Sequence, residues 1–170
     1  MRAFKKTRGF TLVELMMSLT VLAIAAAGVV PLLSNDQTAV LRAAAELLAA
    51  DIEDVQARAL AEPEDPLCLV VSDDGLGWHV ALMSDPQTPL AGIDGLPRVR
   101  RFGQGALASA RDAWVIVPAW QGTPGCLGFD DQGAPMGLTE PMGFEMRCES
   151  EPDPFVVCVS AATGRVSILR

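Results

Sequence analysis

The sequence predicts an α+β protein, a long N-terminal α-helix packed on a small antiparallel β-domain. Three observations predict it. Residues 10–33, FTLVELMMSLTVLAIAAAGVVPLL, are apolar apart from one charge, Glu14. Residues 38–62 are alanine-rich and place apolar side chains at helical spacing. From Leu67 onward short β-rich runs alternate with glycine and proline turns. A helical stretch followed by a series of strands is the α+β pattern, and 170 residues suffice for about one domain.

The first helical element raises a question of charge. As a helix, residues 10–33 would extend about 36 Å, enough to cross a bilayer. Arg2, Lys5, Lys6 and Arg8 precede the run without an acid among them. Such a flank stays in the cytoplasm and sends the C-terminal domain outward. A cleaved secretory signal has a shorter apolar core, about 7–15 residues ending in small side chains. AIAAAG at 23–28 offers such an end, but the run continues through VVPLL, and Glu14 gains nothing in a signal core. A carboxylate in hydrocarbon costs about 2.5–3.5 kcal/mol. It is tolerated near the interface or beside a cation. Cleavage after Gly9 would free the amino group of Phe10, and that ammonium, on the same or a neighbouring chain, would neutralise Glu14.

The second helical element follows a polar step at Ser34, Asn35 and Asp36. Val40, Ala44, Leu47, Leu48, Ile52, Val55 and Ala59 share one face, while Arg42, Glu46, Glu53 and Arg58 lie largely off it. The stripe is expected to pack on the sheet that follows. One helix is expected from about Phe10 to Ala61, with Pro31 removing one backbone hydrogen bond and EPEDP at 62–66 ending it. LCLVV and WHVALM flank SDDGLG and predict a hairpin. VRRF, AWVIVPA, CLGF, FEMRC, FVVCVS and RVSIL predict further short strands, the last opened by a tight ATG turn. Residues 84–97 and 130–143 read as long loops.

RGFTLVELMMSLTVLAIAAAGVVPLL closely resembles the start of type IV prepilins and type II secretion pseudopilins. Lys5, Lys6, Arg8, Gly9, Phe10 and Glu14 carry the pattern. Pro31 matches the proline common at the family's twenty-second mature position. The resemblance implies cleavage after Gly9 by a prepilin peptidase, N-methylation of Phe10, and pairing of Glu14 with the amino terminus of an adjacent subunit. It divides the chain into a leader (1–9), a transmembrane and assembly half-helix (10–33), an amphipathic half-helix (34–62) and a β-domain (63–170), with the β-domain in two sheets. LGFDDQGAP at 127–135 and the closing hairpin with Gly164 and Arg165 resemble the paired signatures of the GspH/FimT group. Those proteins are minor pseudopilins or minor pilins. The implied partners are other pilins or pseudopilins, an inner-membrane assembly platform, the peptidase and the lipid bilayer. The implied location is the inner membrane, single-pass, with the C-terminal domain in the periplasm or otherwise outside the cytoplasm, and then a filament.

Other functions find less in the sequence. After Gly9 stand 9 of the 13 basic residues against all 21 acidic ones. So acidic a domain repels phosphate backbones, which disfavours the alternative of a DNA-binding minor pilin for DNA uptake. RVRRF at 98–102 is the basic cluster of this part, expected on a solvent-facing strand, with a partner or DNA patch as its alternative. A membrane-anchored enzyme is the second alternative. The chain has no G-x-S-x-G, P-loop or H-E-x-x-H motif, and its single histidine, His79, reads as structural. Asp130 and Asp131 read as turn formers, with calcium ligation as the alternative, so neither metal nor cofactor is expected. Cys68, Cys126, Cys148 and Cys158 lack C-x-x-C spacing. Outside the cytoplasm they become candidates for disulfides, and four cysteines allow three connectivities; four buried thiols are the alternative.

Overall fold

The computed structural model describes residues 12–33, 37–92, 95–117 and 126–170, with side chains omitted for 25–33. The chain divides after Asp36 into two units. The expected single helix is represented by two, α1 (Leu12–Leu33) and α2 (Gln37–Ala61), with residues 34–36 outside the described set.

The first unit is α1, which runs through Pro31 to Leu33. Every described side chain on it, residues 12–24, is exposed. Ser18 Oγ donates to the Glu14 carbonyl at 2.8 Å, and Thr20 Oγ1 to the Met16 carbonyl at 2.7 Å. These i−4 bonds satisfy both hydroxyls within the helix. Among the described residues no helix is long and apolar enough to cross a membrane; the span expected over residues 10–33 extends past the described side chains at both ends.

The second unit is an α2 helix set against two antiparallel sheets. The first sheet joins β1 (Leu67–Val71), β2 (Gly77–Leu82), β3 (Asp85–Pro89), β4 (Val99–Arg101) and β6 (Cys126–Gly128) in the order β3-β2-β1-β6, with β4 also on β2. The second joins β5 (Ala113–Ile116), β7 (Met142–Cys148), β8 (Glu151–Val159) and β9 (Val166–Leu169) in the order β5-β7-β8-β9. This is the α+β architecture expected, with its two sheets. One strand was not expected: β3 lies within residues 84–97, which the sequence presents as a loop. Pro86 and Pro89 obscure it, and they are tolerated because β3 is an edge strand with no further ladder to feed.

Helix α2 touches β1 and β6 of the first sheet and β7, β8 and β9 of the second. Its buried face is therefore wider than a single stripe. Ala44, Leu48, Ile52, Val55 and Ala59 are buried as expected, joined by Leu41, Ala45, Ala49 and Asp51, while Val40 and Leu47 sit half-buried at the margin. The alternation of β7 follows the pleat, with Met142, Phe144, Met146 and Cys148 inward. With Trp78, Leu69, Leu127, Phe129 and Val157 they form the core beneath the helix. The turn between β1 and β2 ties the sheets together, Val115 N of β5 donating to the Gly75 carbonyl at 2.8 Å; on the first sheet's own side, Phe102 N, just after β4, donates to the Leu76 carbonyl at 2.9 Å.

Candidate assembly site

The charged residue that the sequence singles out, Glu14, lies in the first turn of α1. Around it Leu12, Val13, Leu15, Met16 and Met17 are all exposed, and farther along so are Leu19, Val21, Leu22 and Ile24. A helix that is apolar on every side needs an apolar surrounding, either lipid or other helices. Gly9 and Phe10, the expected cleavage and methylation positions, lie outside the described residues, and for Pro31 the backbone alone is described.

In the second unit, Gln56 on α2 gathers two turns distant in sequence. Its Nε2 donates to the Gly133 carbonyl at 2.7 Å and to the Thr163 carbonyl at 3.1 Å. The first turn is built by Asp130, whose Oδ1 accepts the amides of Gln132 at 3.0 Å and Ala134 at 2.8 Å. The second contains Gly164 at φ 66°, where an added Cβ would lie 2.3 Å from the Gly133 carbonyl oxygen and 2.9 Å from the Phe129 ring. The two segments that suggested the GspH/FimT resemblance, LGFDDQGAP and ATGRV, therefore meet each other beneath one glutamine.

Residues 4–30 match the pattern described as the prokaryotic N-terminal methylation motif. The chain carries this motif at its N-terminal end. The match runs from residue 4, within the expected leader, through most of α1, and it supports prepilin cleavage, methylation, and assembly with other pilins. No curated protein and no solved structure matches the chain significantly.

The second unit engages most of its basic residues in ion pairs within itself. Arg98 pairs with Asp54 at 3.0 Å, Arg100 with Asp51 at 3.3 Å and Arg101 with Asp74 at 2.7 Å. The RVRRF cluster is thus a half-exposed strand whose guanidinium groups already hold carboxylates. Arg42, Arg58, Arg147 and Arg170 are also in ion pairs. Asp74 shows the effect on the acid side: the Leu76 amide first, and then Arg101, hold its carboxyl below the ordinary aspartate range.

The remaining residues noted in the sequence have structural settings. His79 Nε2 lies 2.9 Å from the Pro86 carbonyl and fastens β2 to β3, as the donor of that bond. Among the described residues no group of three or more His, Cys, Asp or Glu converges on a metal-sized site. All four cysteines are free thiols, with Cys68, Cys126 and Cys148 buried and Cys158 half-buried. Gln56 went unnoticed in the sequence, since a glutamine in an alanine-rich helix gives no signal of two contacts 77 and 107 residues away.

Proposed function

We propose that the chain is a minor pseudopilin or minor pilin of the GspH/FimT kind, a structural subunit of a type II secretion pseudopilus or a type IV pilus. One observation carries this reading: the methylation motif over residues 4–30 coincides with a helix that exposes apolar side chains all round and one carboxylate in its first turn. A peptidase cuts after Gly9, Phe10 is methylated, and the apolar segment holds the subunit in the inner membrane with the head outside the cytoplasm.

Assembly then exchanges lipid for neighbouring helices. Each Glu14 entering that core carries a desolvation penalty of several kcal/mol unless a cation meets it. The Phe10 ammonium of an adjacent subunit is such a cation, so correct axial register is selected by charge. The head contributes contacts, not chemistry; the chain is not an enzyme on this reading. Crosslinking in the native host, followed by recovery of the chain, tests it. Other pilin-like subunits and the inner-membrane platform should be joined to it, and a chain crosslinked to none of them would refute the proposal.

The charge arrangement weighs against a DNA-binding minor pilin. Residues 37–170 contain 9 basic and 19 acidic residues, and seven of those nine arginines are in ion pairs. A salt-dependent mobility-shift assay with residues 35–170 should give no retained complex at physiological salt. Tight binding there would restore the DNA-uptake reading.

A further inference from the structure

We propose that Cys68 and Cys126 join in a disulfide that fastens β6 to β1 when the head folds in an oxidising compartment. The pairing register places them together. On β1, Cys68 stands opposite Gly128 of β6, and Val70 stands opposite Cys126. Residues two apart share a face of the sheet, so both thiols project from the same side as diagonal neighbours. Gly128 contributes no side chain, which leaves Cys126 as the β6 side chain beside Cys68. The two sit with Val70 and Ala81 in a small buried cluster separate from the main core. Burial pushes the Cys68 thiol up to about 12, and the Cys126 thiol, hydrogen-bonded to it, adds to the shift.

The same geometry excludes the other connectivities. Cys148 faces the main core from β7, and Cys158 lies on the opposite face of that sheet, across from Gly143 and Ser167. Neither stands on the sheet that holds Cys68 and Cys126. Diagonal neighbours lie about 7–8 Å apart between Cα atoms, whereas a disulfide needs roughly 4.4–6.8 Å. Closure therefore draws the start of β6 towards β1. Cys126 is the first residue of a three-residue edge strand, paired on one side only, where such a movement meets the least resistance.

The oxidant is a disulfide, either a small one such as glutathione disulfide or that of an exchange catalyst. One cysteine thiolate attacks it and expels a thiolate. The second cysteine thiolate then displaces the remaining sulfur, forming the Cys68–Cys126 bond. Two protons and two electrons leave the pair, and the oxidant ends as two thiols. A protonated, buried Cys68 reacts slowly once folded, which places the exchange during folding.

The oxidising compartment rests on the export proposed above, so the test begins without it. The full chain, reduced and denatured, is refolded into detergent micelles in a glutathione redox buffer, quenched with N-ethylmaleimide and digested with trypsin without reduction. Arg98, Arg100, Arg101 and Arg111 separate Cys68 from Cys126, and Arg147 separates Cys126 from Cys148. The joined peptides of Cys68 and Cys126 should be the predominant disulfide species; Cys148 and Cys158 share one tryptic peptide, so a bond between them would show as that peptide lacking both alkyl groups. A Cys148→Ser/Cys158→Ser variant should keep that joined peptide, and Cys126→Ser should abolish it. Four alkylated cysteines in a chain whose circular dichroism is native, or a majority pairing through Cys148 or Cys158, would overturn the proposal. The same digest on chain extracted from membranes of an exporting host reports the compartment. A joined peptide in the refolded chain and free thiols in the extracted chain would count against the export reading and leave the pair standing.

Discussion

Trp78 Nε1 donates a 2.8 Å hydrogen bond to Asp51 Oδ2, joining α2 to β2 inside the head. Asp51 is the one buried charged residue among those described, and Arg100 reaches the same oxygen at 3.3 Å. Buried anions are retained when they are paired and hydrogen-bonded, as here. Replacing Asp51 with alanine strands the indole N–H and leaves Arg100 without its partner. The expected loss is about 2–4 kcal/mol, read from urea unfolding of residues 37–170. Asp51→Asn keeps an acceptor for Trp78 and should lose less. Equal losses for the two variants would mean that the hydrogen bond contributes little.

Gly164 should be nearly irreplaceable. Its φ of 66° is unfavourable for any side chain, and a Cβ would meet the Gly133 carbonyl oxygen at 2.3 Å. The Gly164→Ala head should be destabilised by about 2–4 kcal/mol, since backbone strain and the displaced turn add. Gln56→Ala removes two hydrogen bonds to those turns and should cost about 1–3 kcal/mol. Because both act on one junction, the double variant should fall short of the sum; full additivity would contradict the shared junction.

The reduced head should weaken in alkali. An unfolded Cys68 loses its proton near the ordinary value of 9.0, while the folded thiol keeps it until about 12. Between these values the unfolded state binds fewer protons, so stability is intact below about 9 and declines as pH rises towards about 12. Urea midpoints of reduced wild-type and Cys68→Ala heads across that window measure the slope. Cys68→Ala should lack this contribution, and so should the joined disulfide form, which has no thiol to titrate. Parallel curves for all three would contradict the raised value.

Glu14 variants separate anchoring from assembly. Glu14→Gln and Glu14→Ala remove the anion but leave the apolar helix, so both should partition into membranes as wild type does and be impaired in filament incorporation. Membrane fractionation and crosslinking to neighbouring subunits read the two steps independently. Normal incorporation of both variants would contradict pairing of Glu14 with a neighbour's amino terminus.

Local signals were legible where one periodicity dominated. LCLVV became β1, SDDGLG became the turn of the β1–β2 hairpin, and α2 ended at Ala61, just before EPEDP. What escaped depended on tertiary context. β3 was hidden by prolines that only an edge position permits. Asp51 was not recognised as buried, because a carboxylate in an amphipathic helix reads as solvent-facing until Trp78 and Arg100 arrive from other strands. RVRRF read as a basic patch because its carboxylate partners are 27 to 49 residues away. The assembly segment was the opposite case: basic leader, Gly9, Phe10 and Glu14 are contiguous, and a contiguous motif needs no fold to be recognised.

The most direct measurement is the mass and sequence of the mature amino terminus, taken from protein recovered from native membranes. If Glu14 is neutralised by an ammonium that proteolysis creates, the chain begins at Phe10 and carries an N-methyl group there. A chain that begins at Met1 would lack the Phe10 ammonium, and one cut after the alanine cluster at 25–27 would lack Glu14 itself; either result would contradict the mechanism.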